Sequence, residues 1–145
     1  MQQIDRELEQ RVWERVNGGG QERSLQALAA AEKSAGALYL MLARLMQGRA
    51  KEQLRQLYHR TQTHGRYLGG MNMLLEGQPL SVHTAPPEPG RTAVLLSRCY
   101  TGALRAAEEY EKRGKDRTFG PIFERMAQNH RDSCATILEL MGQQG

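Results

Sequence analysis

Cysteine is scarce in this 145-residue chain: only Cys99 and Cys134 occur, each within a helical pattern. So small a number argues against a disulfide framework and suits a reducing compartment. Long apolar runs are missing too. Hydrophobic residues make up 39% of the chain, and no run approaches the roughly 20 residues needed to span a bilayer. The opening residues, MQQIDRELEQ, are charged and lack the apolar segment of a signal peptide. No segment shows the alternation of a strand. These gaps predict a soluble, cytoplasmic, all-α protein with one core of ordinary size.

Charge of one sign is not concentrated anywhere. The formal charge is +4 and the pI about 9.3, but basic residues alternate with acidic ones, as in ELEQRVWER and EEYEKRGKDR. A nucleic-acid footprint wants Lys and Arg gathered on one face with aromatics between them. Neither a nucleic acid nor a membrane is therefore expected as a partner.

What the chain does contain is helical periodicity. Ile4, Leu8, Val12 and Val16 recur every four residues, with Trp13 beside them, and predict a short amphipathic helix over 2–16. Asn17-Gly18-Gly19-Gly20 ends it. Residues 1–20 thus form one unit, and 21–145 a second that holds four longer helices. The first of these runs from about Ser24, a reasonable N-cap, to Met46. The next covers Lys51 to Leu75, after a break at Gln47-Gly48-Arg49. Residues 77–90 (GQPLSVHTAPPEPG) hold four of the five prolines and form the longest non-helical stretch. A third helix spans about Thr92 to Lys112, with the stripe Leu96, Cys99, Ala103, Ala106, Tyr110. The fourth begins near Asp116 or Thr118, tolerates Pro121 in its first turn, and ends near Met141. Short links pair the first helix with the second and the third with the fourth as antiparallel hairpins. The proline-rich linker is long enough to cross the bundle end to end, although an up-down-up-down path is equally open to it.

Three of the stripes carry polar residues at mid-length. They read Leu25, Leu28, Glu32, Ala35, Tyr39, Leu42, Met46; Leu54, Leu57, Thr61, His64, Leu68, Met71, Leu75; and Phe119, Phe123, Met126, His130, Ser133, Ile137, Leu140. Spacings of three and four keep each set on one helix face, so the polar members point inward with the apolar ones. An unpaired buried carboxylate or imidazole costs roughly 1–3 kcal/mol or more. Folding the hairpins at about Gly48 and Gly114 sets Glu32 level with residue 64 and Cys99 level with residue 130. Glu32, His64, His130 and Cys99 then meet at one height, a set suited to a single zinc or similar ion. They could equally hydrogen-bond one another, with Thr61 and Ser133 completing the network. Tyr39 is expected to pack in the core, with its hydroxyl reaching Glu32 or its neighbours. Ser133 lies three residues from His130, but no third group orients that His as a hydrolase would require. His59 and His83 have no partners at ligand spacing.

Glu32 followed seven residues on by Tyr39, with His64 and His130 on later helices, resembles the rubrerythrin-like branch of the ferritin-like superfamily. The resemblance covers residues 24–141. It implies a ferritin-like four-helix bundle whose family members hold a di-iron centre with four carboxylates and two histidines. This chain departs from that pattern. Thr61 stands where the family has Glu, Ser133 stands where it has His, and Cys99 is the nearest inward candidate for the Glu of the third helix. Two iron ions need several bridging carboxylates, which one Glu cannot supply. The resemblance therefore implies a degenerate member: a helical binding or scaffold module without cofactor, working as a homodimer or with a protein partner. The alternative is a metal-binding protein or oxidoreductase with a reduced site at Glu32, His64 and His130, holding one zinc or iron.

Overall fold

In the computed structural model of the chain, residues 23–144 are described. The helix expected over 2–16 and the unit 1–20 lie outside that range. The described residues form four helices: α1 Leu25–Leu45, α2 Gly48–Glu76, α3 Thr92–Lys112 and α4 Gly120–Gln144, with a single 3-10 turn at Arg113–Lys115. None of them is long and apolar enough to cross a membrane.

Local chemistry sets the ends. Ser24 Oγ accepts a hydrogen bond from the Ala27 amide at 3.0 Å, a cap worth about 1 kcal/mol. Met46 and Gln47 are extended, and the chain re-enters a helix at Gly48 with φ +63°, a conformation only glycine adopts cheaply. The break is thus shorter than the sequence suggests, and α2 starts three residues earlier. Asp116 Oδ1 accepts from the amides of Thr118 (2.9 Å) and Phe119 (2.7 Å), which turns the chain into α4.

Packing fixes the path of the chain. α1 packs chiefly on α2, and α3 on α4, as two hairpins; α1 also touches α3, and α2 touches α4. The backbones of α2 and α3, and those of α1 and α4, do not approach closely, so those pairs lie across the diagonals and meet only through side chains that reach the bundle centre, as Glu32 and His130 do. The Arg23 amide donates to Glu109 Oε1 at 3.2 Å, and the Arg113 guanidinium donates to the Arg23 carbonyl. The start of α1 therefore meets the end of α3, which makes α3 antiparallel to α1 and parallel to α2. Residues 77–91 must travel the length of the bundle, and the up-down-up-down path is ruled out. Lys33 Nζ donates to the Val82 carbonyl at 2.9 Å, and the Gln26 amide to the Ser81 carbonyl, fastening the linker along α1.

The core has two apolar halves. One gathers Leu42, Leu54, Leu57, Leu95, Leu96, Ile137 and Leu140 around Tyr39, Cys99 and Cys134. The other gathers Leu28, Leu68, Met71, Phe119, Phe123 and Met126 around Tyr110. Each buried leucine or phenylalanine contributes roughly 1.5–3 kcal/mol. On α3 the inward stripe continues through Ala107, with Ala106 only half-buried. Glu32, Thr61, His64, His130 and Ser133 are the buried polar residues among those described.

Candidate metal centre

Glu32 from α1, His64 from α2 and His130 from α4 bring one ligand atom each to a common point. Their exposures are 3%, 1% and 4%. One carboxylate oxygen receives every contact. Glu32 Oε1 accepts from His64 Nδ1 at 2.9 Å, from His130 Nε2 at 2.5 Å and from the Tyr110 hydroxyl at 3.1 Å. The two imidazole nitrogens lie 3.3 Å apart. Glu32 Oε2, by contrast, is buried with no hydrogen-bond partner, a state that costs roughly 1–3 kcal/mol.

Electrostatics keep the carboxyl ionised. Burial pushes its pKa up, but hydrogen bonds from His130 and His64 and electrostatic attraction to the two imidazoles outweigh that and hold it at about 2, below the ordinary 4.5. Two further groups orient the imidazoles. The Asn129 side-chain amide donates to His64 Nε2 at 3.0 Å, which leaves Nδ1 as the protonated nitrogen aimed at Glu32. The Tyr110 ring stacks on His130 (15° between planes, centroids 5.6 Å apart) and, on its other side, on Phe123 (17°, 6.1 Å). Burial and the neighbouring Glu32 carboxylate both push the Tyr110 phenol up, so it stays a proton donor.

The donor set suits one divalent ion. Ligand atoms about 2.0–2.1 Å from a tetrahedral zinc are roughly 3.3 Å apart. One edge of the triangle has that length, and the other two, at 2.9 and 2.5 Å, are hydrogen-bond lengths that open by less than about 1 Å to reach it. The unpartnered Oε2 gives the carboxylate a second donor atom. A pair of ions does not suit this set, because Glu32 is its one carboxylate and cannot bridge and neutralise both.

The other expected residues go elsewhere. Thr61 Oγ1 donates to the Tyr58 carbonyl of its own helix at 2.6 Å. Ser133 Oγ donates to the Asn129 carbonyl at 3.0 Å and accepts from Arg60 Nη1 at 3.1 Å. Cys99 is not a member of the group. It sits in the apolar half with Cys134 and Tyr39, and burial pushes its thiol up to about 12. The reason is the hairpin: the α3–α4 link spans 113–119 rather than centring on Gly114, so Cys99 lies level with Cys134 and not with His130. Tyr39 makes no hydrogen bond to Glu32; Tyr110 makes it instead. His59 and His83 are exposed, away from the group. Tyr110 was visible as the last member of the α3 stripe, whereas Asn129 carried no signal beyond adjacency to His130.

Two cavities border Glu32. One, of about 290 Å³, opens between α1 and α3 and also touches His130, Tyr110, Tyr39 and Cys99. The other, of about 560 Å³, lies between α1, α2 and the linker, beside Thr61, Gln62 and Val82. Searches against family models, curated proteins and solved structures return no match to this chain.

Proposed function

We propose that the bundle binds one divalent transition-metal ion, zinc or ferrous iron, through Glu32, His64 and His130. The observation that carries this reading is the buried, unpartnered Glu32 Oε2 beside three ligand atoms that already lie within 3.3 Å of one another. A carboxylate with two imidazoles is a donor set for catalytic zinc and for non-haem iron, and both ions keep open positions. His64 binds through Nδ1 once the Asn129 amide turns over and its oxygen accepts from Nε2–H, an outer-shell contact of the usual kind. When bound, the ion supplies Lewis acidity or, as iron, redox chemistry next to the α1–α3 cavity. On this reading the rubrerythrin-like resemblance describes a bundle reduced from two ions to one.

A second reading has its own support. Oε1 already collects three donors, and the Glu32–His130 separation of 2.5 Å leaves no room for an ion along that line. The layer would then be a metal-free network in a helical binding or scaffold module, dimeric or joined to a protein partner. Exposed Met73, Leu74 and Leu75 at the end of α2 support a protein contact of that kind.

Element analysis of protein purified without chelators separates the two. The metal reading expects close to one zinc or iron per chain, removed by EDTA, regained on adding zinc, and lost in a His64→Ala/His130→Ala double variant that keeps its helical circular dichroism. Native protein that neither carries metal nor takes up zinc after stripping would establish the metal-free network instead.

A further inference from the structure

The α1–α3 cavity exists because of what the two helices lack. Where they face each other, the side chains are small: Ala31 and Ala35 on α1, Gly102, Ala103 and Ala106 on α3. Small residues ordinarily let two helices close up. Here Tyr39 on α1 and Tyr110 on α3, both almost fully buried, also border the space and hold the helices apart. About 290 Å³ of mainly apolar room remains, reaching inward to Glu32 and His130. A leucine at position 35 or 106 would take up part of it, as the larger side chains of a purely structural core do.

The mouth of this space is charged. Arg98 and Arg105 border it, seven residues and so about 10 Å apart along α3, on either side of the exposed Gly102. A Cβ at Gly102 would meet nothing within 4 Å, so the gap between the arginines is open. Neither arginine forms an ion pair among the described residues. The nearby acid is occupied: Glu109 faces Arg113 at 3.6 Å and accepts from the Arg23 amide. An apolar interior whose rim carries guanidinium groups without an acid partner among the described residues suits a ligand that is apolar along its body and anionic at one end.

We propose that this cavity binds a small amphiphilic carboxylate, its chain between Ala35, Leu38 and Ala106 and its head group on Arg98 and Arg105. Binding of this kind uses no atom of the Glu32–His64–His130 group, so it stands with or without an ion there. When an ion is present, the far end of the ligand lies beside it.

Decanoate serves as the probe, titrated calorimetrically into EDTA-treated full-length chain, with decanol and acetate as the uncharged and short-chain comparisons. The expected result is saturable binding of one decanoate per chain, weaker by more than about tenfold for either comparison compound. Arg98→Glu/Arg105→Glu should lose more than about tenfold in affinity, and Ala35→Phe should abolish binding while circular dichroism is unchanged. Should Ala35→Phe not fold, Ala106→Phe obstructs the same space from α3. No saturable decanoate binding, or equal affinity in the charge-reversed and cavity-filled variants, would overturn the proposal. Because the titration is done on stripped protein, a failure here leaves the metal reading untouched, and a failure to bind zinc leaves this one untouched.

Discussion

Glu32, His64 and His130 are as deeply buried as Thr61 and Ser133, and all five lie on inward stripes, yet the two sets satisfy their polar atoms differently. The first three reach across the bundle and bond to one another, α1 to α2 to α4. The hydroxyls of the other two turn back onto carbonyls of their own helices, three and four residues upstream. Side-chain reach makes the difference. A hydroxyl on Cβ can serve the backbone of its own turn, whereas a carboxylate or imidazole held further out finds no such partner and must meet another helix. Burial of a polar residue on a stripe is therefore not enough to mark a site. What marks one is a group that its own helix cannot satisfy.

The largest expected effect comes from breaking the first set at its hub. Glu32→Ala leaves two imidazoles and the Tyr110 phenol without their common acceptor, and should destabilise the chelator-treated protein by about 3 kcal/mol in urea unfolding at neutral pH. The same carboxylate makes stability depend on pH. Its pKa is lowered by folding, from 4.5 to about 2, so its contribution is complete above pH 4.5 and is lost as pH falls from there toward 2. That contribution is on the order of 3 kcal/mol. Glu32→Gln should remove this part of the acid dependence. Parallel acid limbs for the two proteins would show that Glu32 is not the linked group.

Much of this arrangement is legible in the sequence, and the parts that are not have identifiable causes. All four helices follow from heptad spacing and punctuation, because the apolar stripes are long and the breaks carry glycine or proline. Glu32, His64 and His130 stand out because each interrupts a stripe with a group too polar for an apolar core. Cys99 falls outside the group because of the register of its hairpin: the 3-10 turn at Arg113–Lys115 and the Asp116 cap lengthen the α3–α4 link and slide α3 by about one turn against α4. That slide is also what lets Tyr110, near the end of α3, reach Glu32. The crossover followed from linker length only as one of two options. The choice shows in contacts of Arg23 with Glu109 and Arg113, which no periodicity encodes.

The second set can be broken too, but sterically. Gly36 on α1 faces Thr61, and a Cβ there would meet Thr61 Oγ1 at 2.5 Å and Tyr58 Cδ2 at 3.2 Å. Thr61 is held in that position by its bond to the Tyr58 carbonyl. Gly36→Ala should therefore destabilise by about 2 kcal/mol through overpacking, despite the gain in helix propensity of roughly 1 kcal/mol. Removing the obstacle in a Gly36→Ala/Thr61→Ala variant should restore most of the loss. A double-mutant cycle on thermal or urea unfolding measures the coupling; additive effects would mean that the helices shift to absorb the methyl group.

The finest test sets one hydroxyl from each set against the other. Tyr110→Phe removes a donor to a buried carboxylate while keeping the ring between His130 and Phe123, and should cost about 1.5 kcal/mol, since hydrogen bonds to charged groups are the stronger kind. Thr61→Val removes a hydroxyl whose one hydrogen bond runs to a carbonyl of its own helix, and should change stability by no more than about 0.5 kcal/mol. Both residues are buried and both lose a single oxygen, so the difference between the two values isolates what reaching across the bundle is worth. Equal losses would mean that the hub oxygen gains nothing from its third donor, and Tyr110 would then be a packing residue that touches Glu32 without supporting it.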